Sequence, residues 1–294
     1  MLQQRTQAID RLYQEVLSYR GTENFESLIN FVKKFPHISL YNAMLVHMQK
    51  PGSVFVASVN DWKKYDRIPK PGARPLLILQ PFGPVAFVYE YNDTEGQPLP
   101  QGLVDSFQVE GRQISENILD SLIQNVYWEG VEVYRQSYGT NMAGYICAKT
   151  PHASIYIQQK EKKYSLSIYH SIVLNNNLSL TAQYATIIHE LGHLFCGHVE
   201  HDPKKEKWLP DRYYLSKEER EFEAETVCWL VCERNGIINP SAQYLSGYLK
   251  NKKVIPSVSI DTVLKATGII ESLIRGNRPP RKELLTELSN KEHK

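Results

Sequence analysis

Tyr184-Ala185-Thr186-Ile187-Ile188-His189-Glu190-Leu191-Gly192-His193-Leu194-Phe195 sets His-Glu-x-x-His inside an apolar run of helical period. At about 100° per residue, positions four apart lie roughly 40° from each other on a helix, so His189 and His193 share a face. Two imidazoles in that relation suit one Zn²⁺, and Glu190 projects beside them as the base for the metal's water. Ile187, Ile188, Leu191, Leu194 and Phe195 give the helix an apolar back, and Gly192 is expected to leave room beside the metal.

A catalytic zinc takes three protein ligands and keeps one position open. The next helical stretch opens with Ser216 and Glu219 in a capping box and continues through Glu221-Phe222-Glu223-Ala224-Glu225. Glu221 and Glu225 are one turn apart and point the same way, whereas Glu223 points elsewhere. The pair suits one carboxylate on the metal, Glu221, and a second, Glu225, that orients a ligating histidine through its other ring nitrogen. Glu223 is the reserve ligand, and a solvated helix surface would carry the same glutamates.

His-Glu-Leu-Gly-His at 189–193 with Glu221-Phe222-Glu223-Ala224-Glu225 downstream resembles the ImmA/IrrE group of zinc metallopeptidases. The resemblance implies that the downstream glutamate is the third ligand and that an acidic or amide side chain follows one turn later. His198, in Cys196-Gly197-His198, also matches a histidine often seen in that group. Where the group continues into Leu-Leu-x-Pro, this chain reads Val227-Cys228-Trp229-Leu230-Val231-Cys232, which is closer to the metallopeptidase half of ArdC-type antirestriction proteins.

The chain has 294 residues, 42% of them apolar, enough for one large or two modest domains with real cores. A net charge of +2 excludes a generally basic nucleic-acid coat and leaves only local basic surfaces. The four cysteines form no C-x-x-C pair and read as buried thiols. No signal-peptide core and no apolar run near 18 residues is present, so a reduced cytoplasmic setting without membrane contact is expected.

The expected fold class is α+β: a small N-terminal α+β module over 1–95, a linker at 96–115, a compact zincin-like domain over 116–275 and a frayed polar tail at 276–294. Helical spacing recurs at Ile9 to Leu17, at Phe25 to Val32 (ended by Pro36), and from Ser39 to Pro51. Strand-like runs follow at Val54–Val59, Pro75–Gln80 and Val85–Glu90. Within this module Trp62, Lys63, Lys64, Arg67, Lys70 and Arg74 interleave an aromatic with cations, a composition that suits stacked bases and phosphates and equally suits a solvated basic turn over a core tryptophan. Ser39-Leu40-Tyr41-Asn42-Ala43, Gln49-Lys50-Pro51, Trp62 and Arg67-Ile68-Pro69-Lys70-Pro71-Gly72 resemble the single-stranded-DNA-binding domain of ArdC proteins, which implies single-stranded DNA as a partner.

A helix near 115–126 and strands at Val131–Tyr134, Gly144–Ala148 and Ser154–Ile157 precede the metal helix, which Ser179 or Thr181 caps. An edge strand of such a sheet can hold an extended peptide, and Ser154–Ile157 is the candidate for a strand of that sheet. His198, His201, Tyr213 and Tyr214 are candidate donors to a tetrahedral oxyanion. Further helices are expected from Ser241 through Leu249 and from Ser259 to Ile274, the latter interrupted or bounded at Gly268. The expected reaction is hydrolysis of a peptide bond in a protein substrate, compatible with regulation through nucleic acid bound by the N-terminal module; the rival reading is a single-stranded-DNA-binding antirestriction-type protein in which the zinc site is structural or vestigial.

Overall fold

The computed structural model describes residues 22–80, 83–99, 113–138, 142–159, 162–237 and 256–288. The helices expected around residues 9–17 and 241–249 lie outside them. The architecture is α+β, in two compact units: Met1–Gly111 with Arg234–Gly236, and Arg112–Glu233 with Ile237–Lys294.

In the first unit α1 (Thr22–Val32) buries Phe25, Leu28, Ile29 and Val32, the stripe its spacing specifies. Ser39 caps α2 (Leu40–Gln49) by accepting from the Asn42 N–H at 3.3 Å. The strand expected over Val54–Val59 is only β1 (Val56–Ala57), because Ser58 instead caps a short helix, α3 (Val59–Lys63), accepting from Asp61 N–H. β2 (Arg67–Pro69), β3 (Leu76–Gln80) and β4 (Gly83–Glu90) follow, and the antiparallel sheet runs β1-β4-β3. Among the described residues β3 is therefore an edge, and α2 covers it. Asn42 exchanges hydrogen bonds with the backbone of Leu79 at 2.9 Å, and Gln49 does the same with Leu77 at 2.8 Å. Two amides two helical turns apart thus satisfy groups that an open edge would offer to another chain. After a turn at Tyr91–Asp93, β5 (Thr94–Gly96) pairs with β2, which brings the polar stretch from Asn92 into the body of the unit.

The second unit starts with α4 (Glu116–Tyr127) and β6 (Val131–Gln136). Gly144–Ala148 and Ser154–Ile157, read as separate strands, are parts of one long strand, β7 (Gly144–Gln159), with a register shift between Ala148 and Ala153. The centre of the sheet is β8 (Lys162–Asn175), for which the sequence reading placed no strand. Leu166, Ile168, Ile172 and Leu174 do alternate there, but serines and His170 between them dilute the apolar signal. β6 runs parallel to β8 and β7 antiparallel, in the order β6-β8-β7.

The helices that follow are α5 (Leu180–Phe195), α6 (Lys217–Arg234) and α7 (Ile260–Ile274). Ser179, Ser216 and Ser259 accept from the backbone N–H three residues on, as their positions imply. α7 runs unbroken through Gly268, where a Cβ would meet open space. Residues 276–288 correct the frayed tail expected over 276–294, the last six residues of which lie outside the described ones. Buried Glu129 receives Arg278 Nε at 2.7 Å and Arg281 Nε at 2.8 Å, and β9 (Leu285–Glu287) pairs with β8 at Leu166–Tyr164. A buried carboxylate needs cationic partners, and these arginines supply them. No helix among the described residues is long and apolar enough to cross a membrane.

Candidate metal centre

α5 lays its apolar back inward, with Ile187, Ile188, Leu191 and Leu194 buried, so the opposite face carries His189 and His193. Gly192 serves helix packing. A Cβ there would stand 3.3 Å from Ala224 Cα and its carbonyl oxygen, so glycine opposite alanine lets α5 and α6 approach closely. The expectation that it makes room beside a metal is corrected accordingly; its effect is to bring the glutamates of α6 up to the histidines.

His189 Nε2 and His193 Nε2 lie 3.1 Å apart, and Glu221 Oε2 is 3.6 Å from each. Two donors held about 2.05 Å from one ion at a tetrahedral angle stand about 3.3 Å apart. The triangle of lone pairs therefore fits a divalent ion, and the donor set, two imidazoles and a carboxylate, suits Zn²⁺ or a neighbouring transition metal. Glu225 Oε1 is 3.6 Å from His189 Nδ1, on the side away from the triangle. Burial alone would lower the His189 pKa, but Glu221, Glu190 and other anionic neighbours outweigh it and lift it to about 9. His193 is held below its ordinary value by burial, and Glu221 well below the carboxylate range by the two imidazoles.

Glu190 is 7% exposed, and its carboxyl is pushed up to about 7 by burial, with the Glu221 charge adding to the rise. The Ile146 N–H of β7 faces it and opposes that rise. A cleft of about 880 Å³ opens there, lined by His189, Glu190, His193 and Glu221 and by Gly144–Lys149 of β7. The candidate strand was right in identity, but the half that meets the cleft is Gly144–Lys149, with Ser154–Ile157 further along.

Past α5 the chain turns at Gly197, where φ is +77° and a Cβ would fall 1.9 Å from the Pro210 carbonyl oxygen; only glycine fits. The turn places His198 under His193, with the two Nδ1 atoms 3.2 Å apart. His198 Nε2 is 2.9 Å from Glu223 Oε2, so both ring nitrogens are engaged and His198 is not a donor to an oxyanion. Of the other candidates, His201 and Tyr213 line the cleft, and Tyr214 does not.

Glu223 is the residue that sequence reasoning undervalued. It is fully buried and takes both guanidinium arms of Arg212, at 2.6 and 2.7 Å, besides the Ser259 N–H at 2.8 Å. Cys196, His198 and Glu223 also lie within metal-ligating distance of one another. Arg212 already supplies the positive charge there, and His198, Glu223 and Arg212 form a hydrogen-bond network. The available signal was Glu223 facing the protein interior two residues from Glu221 and Glu225.

The N-terminal candidates separate into two sets. Trp62 is 0% exposed, packs on Phe55 and donates its Nε1–H to the Tyr89 carbonyl at 2.9 Å, so its expected stacking face is closed. Arg67 is 6% exposed; it donates to the Thr94 hydroxyl and to the carbonyls of Tyr91, Thr94, Gly96 and Gln97, over the Tyr91 ring at 4.3 Å. Both are corrected from surface to core. Lys63, Lys64, Lys70 and Arg74 are exposed, Lys64 pairing with Asp61 and Lys70 reaching the Asn92 carbonyl.

Residues 130–232 match the family model described as the IrrE N-terminal-like domain of the M78 peptidases. This stretch contains both histidines, Glu190 and all three glutamates of α6 under discussion. Two solved structures are similar over 80% of the chain: metal-free antirestriction protein ArdC from plasmid R388, at 15% identity over 84% of that chain with a TM-score of 0.36, and its Mn(II)-bound form, at 16%, 86% and 0.34. No curated protein matches the chain.

Proposed function

We propose that the chain is a zinc-dependent peptidase whose IrrE N-terminal-like domain hydrolyses a peptide bond in a protein substrate. The observation that carries the reading is a triangle of His189, His193 and Glu221 lone pairs with a buried carboxylate, Glu190, beside it at the mouth of a cleft. His189, His193 and Glu221 would hold the ion, which when bound acidifies a water molecule and polarises the scissile carbonyl.

Glu190 then has two tasks. It accepts a proton from the attacking water, and it returns that proton to the departing amine nitrogen. Burial suits it to both, because a desolvated carboxylate is a stronger base than one in water. The Ile146 N–H of β7 faces it. In the described residues β7 has β8 on one side only, so its other edge offers an extended substrate main-chain partners. A metal serving structure alone gains nothing from a base at Glu190, which favours a peptidase over a binder with a structural site.

The test compares cells expressing the wild type with cells expressing Glu190→Gln, by mapping new protein N-termini and measuring metal content. The reading expects equal metal, and new N-termini only in the wild type. Identical N-terminal profiles from the two would refute it.

A further inference from the structure

Resting on that metal reading, we propose that His198, Glu223 and Arg212 form a tautomer relay that keeps the His193 Nε2 lone pair available to the metal. The three are positioning residues and lie behind His193, outside the reacting site.

Glu223 sets the direction of every proton in this chain of contacts. Its carboxylate is fully buried and takes Arg212 through both oxygens, so one guanidinium balances one anion. A carboxylate in that state has only lone pairs to give. His198 Nε2, 2.9 Å from Oε2, must therefore carry the proton of that hydrogen bond. A further charge on His198 would be a second cation facing one anion in a buried place, so its ring is neutral and Nδ1 is an acceptor. The Nδ1 of His193, 3.2 Å away, must then be the donor. A neutral imidazole with its hydrogen on Nδ1 has its lone pair on Nε2, the atom that points at His189 Nε2 and Glu221. Each link follows from the one before.

The backings of the two histidines thus differ in kind. His189 has the Glu225 carboxylate 3.6 Å behind it, while His193 reaches an anion only through a neutral ring. The relay also ties the metal face to the chain around it. Arg212 lies in the loop after α5, and the Ser259 N–H that joins Glu223 is at the start of α7.

The test uses full-length protein and the substitution Glu223→Gln, which keeps shape and removes charge. A glutamine that accepts from Arg212 and Ser259 through its carbonyl turns its NH₂ to His198 Nε2. That inverts His198, and through it His193. Two readouts apply: long-range proton–nitrogen spectra of metal-free protein with ¹⁵N-labelled histidine, and Zn²⁺ affinity by competition with a chromophoric chelator. The relay predicts His193 with hydrogen on Nδ1 in the wild type, on Nε2 in the variant, and a fall in Zn²⁺ affinity of about 10- to 100-fold. Unchanged tautomers, or an affinity within about threefold of wild type by that same standard, would overturn it.

Should Glu223→Gln fail to fold, His198→Phe retains a ring and the Glu223–Arg212 pair while removing the acceptor for His193. The same affinity loss is expected, and its absence overturns the relay. A folded wild type that takes up no Zn²⁺ defeats the peptidase reading, while the tautomer spectra still judge the relay.

Discussion

The turn around Trp62 and Arg67 and the helix pair around His189 and Glu221 each gather polar chemistry beside aromatic or apolar side chains, and they end in opposite conditions. Every donor on the Arg67 guanidinium goes to a carbonyl or hydroxyl of the same unit, and the Trp62 N–H goes to Tyr89. Around His189, His193 and Glu221 three ligand atoms crowd one another, held together in the metal-free chain by the His189 proton that an arriving ion would replace. A polar group whose partners are all within the fold stabilises the fold. One whose partners are missing awaits a ligand. The contrast separates a structural arginine and tryptophan from a candidate ion site without reference to what either resembles.

The comparison can be broken at its core end first. Trp62→Ala is expected to lower the stability of the first unit by about 3–5 kcal/mol, the cost of emptying a buried aromatic site. Urea unfolding followed by hydrogen exchange at β3 and β4 would measure it, and a loss under about 1 kcal/mol would return Trp62 to the surface. At the other end, His189→Ala should leave the fold intact and weaken Zn²⁺ about 100-fold, since the binding free energy of about 10–16 kcal/mol at four-ligand structural zinc sites is about 3 kcal/mol per protein ligand. Isothermal titration of both proteins decides that point.

Acidity sharpens the contrast further. With its pKa lifted to about 9, His189 of the metal-free protein is protonated at neutral pH, and an arriving ion must displace that proton. Apparent affinity should therefore rise about tenfold per pH unit up to about 9 and level off above it. A flat profile from pH 6 to 9 would mean that no proton is displaced. The smallest effects belong to the exposed cations. Lys63→Ala, Lys70→Ala and Arg74→Ala should each change stability by less than about 0.5 kcal/mol in the same urea experiment.

Helical period made much of this readable in advance. Four-residue spacing fixes direction, so the sequence pairs His189 with His193 and Glu221 with Glu225. Serines at 39, 179, 216 and 259 marked helix starts because a cap is a local hydrogen bond. What escaped depended on partners distant in sequence. Glu223 faces inward, but its meaning comes from Arg212, in a loop without period, and from Ser259. Arg67 looked like a surface cation because the carbonyls it satisfies, from Tyr91 to Gln97, are some thirty residues on. Arg278 and Arg281 looked like a solvated tail for the same reason; their anchor, Glu129, lies about 150 residues earlier. β8 was missed because a central strand can be half serine, tyrosine and histidine when its neighbours satisfy them, as Glu132 does for Ser171 at 2.6 Å.

The claim on which the rest depends is that the triangle of His189, His193 and Glu221 binds one divalent ion. Stripping the purified chain with chelator, confirming its fold by circular dichroism, and titrating Zn²⁺ into wild type and His189→Ala tests it directly. The account predicts one tight site per chain in the wild type and an affinity about 100-fold weaker in the variant. A folded wild type that binds no ion, or a variant that binds it equally well, would contradict it.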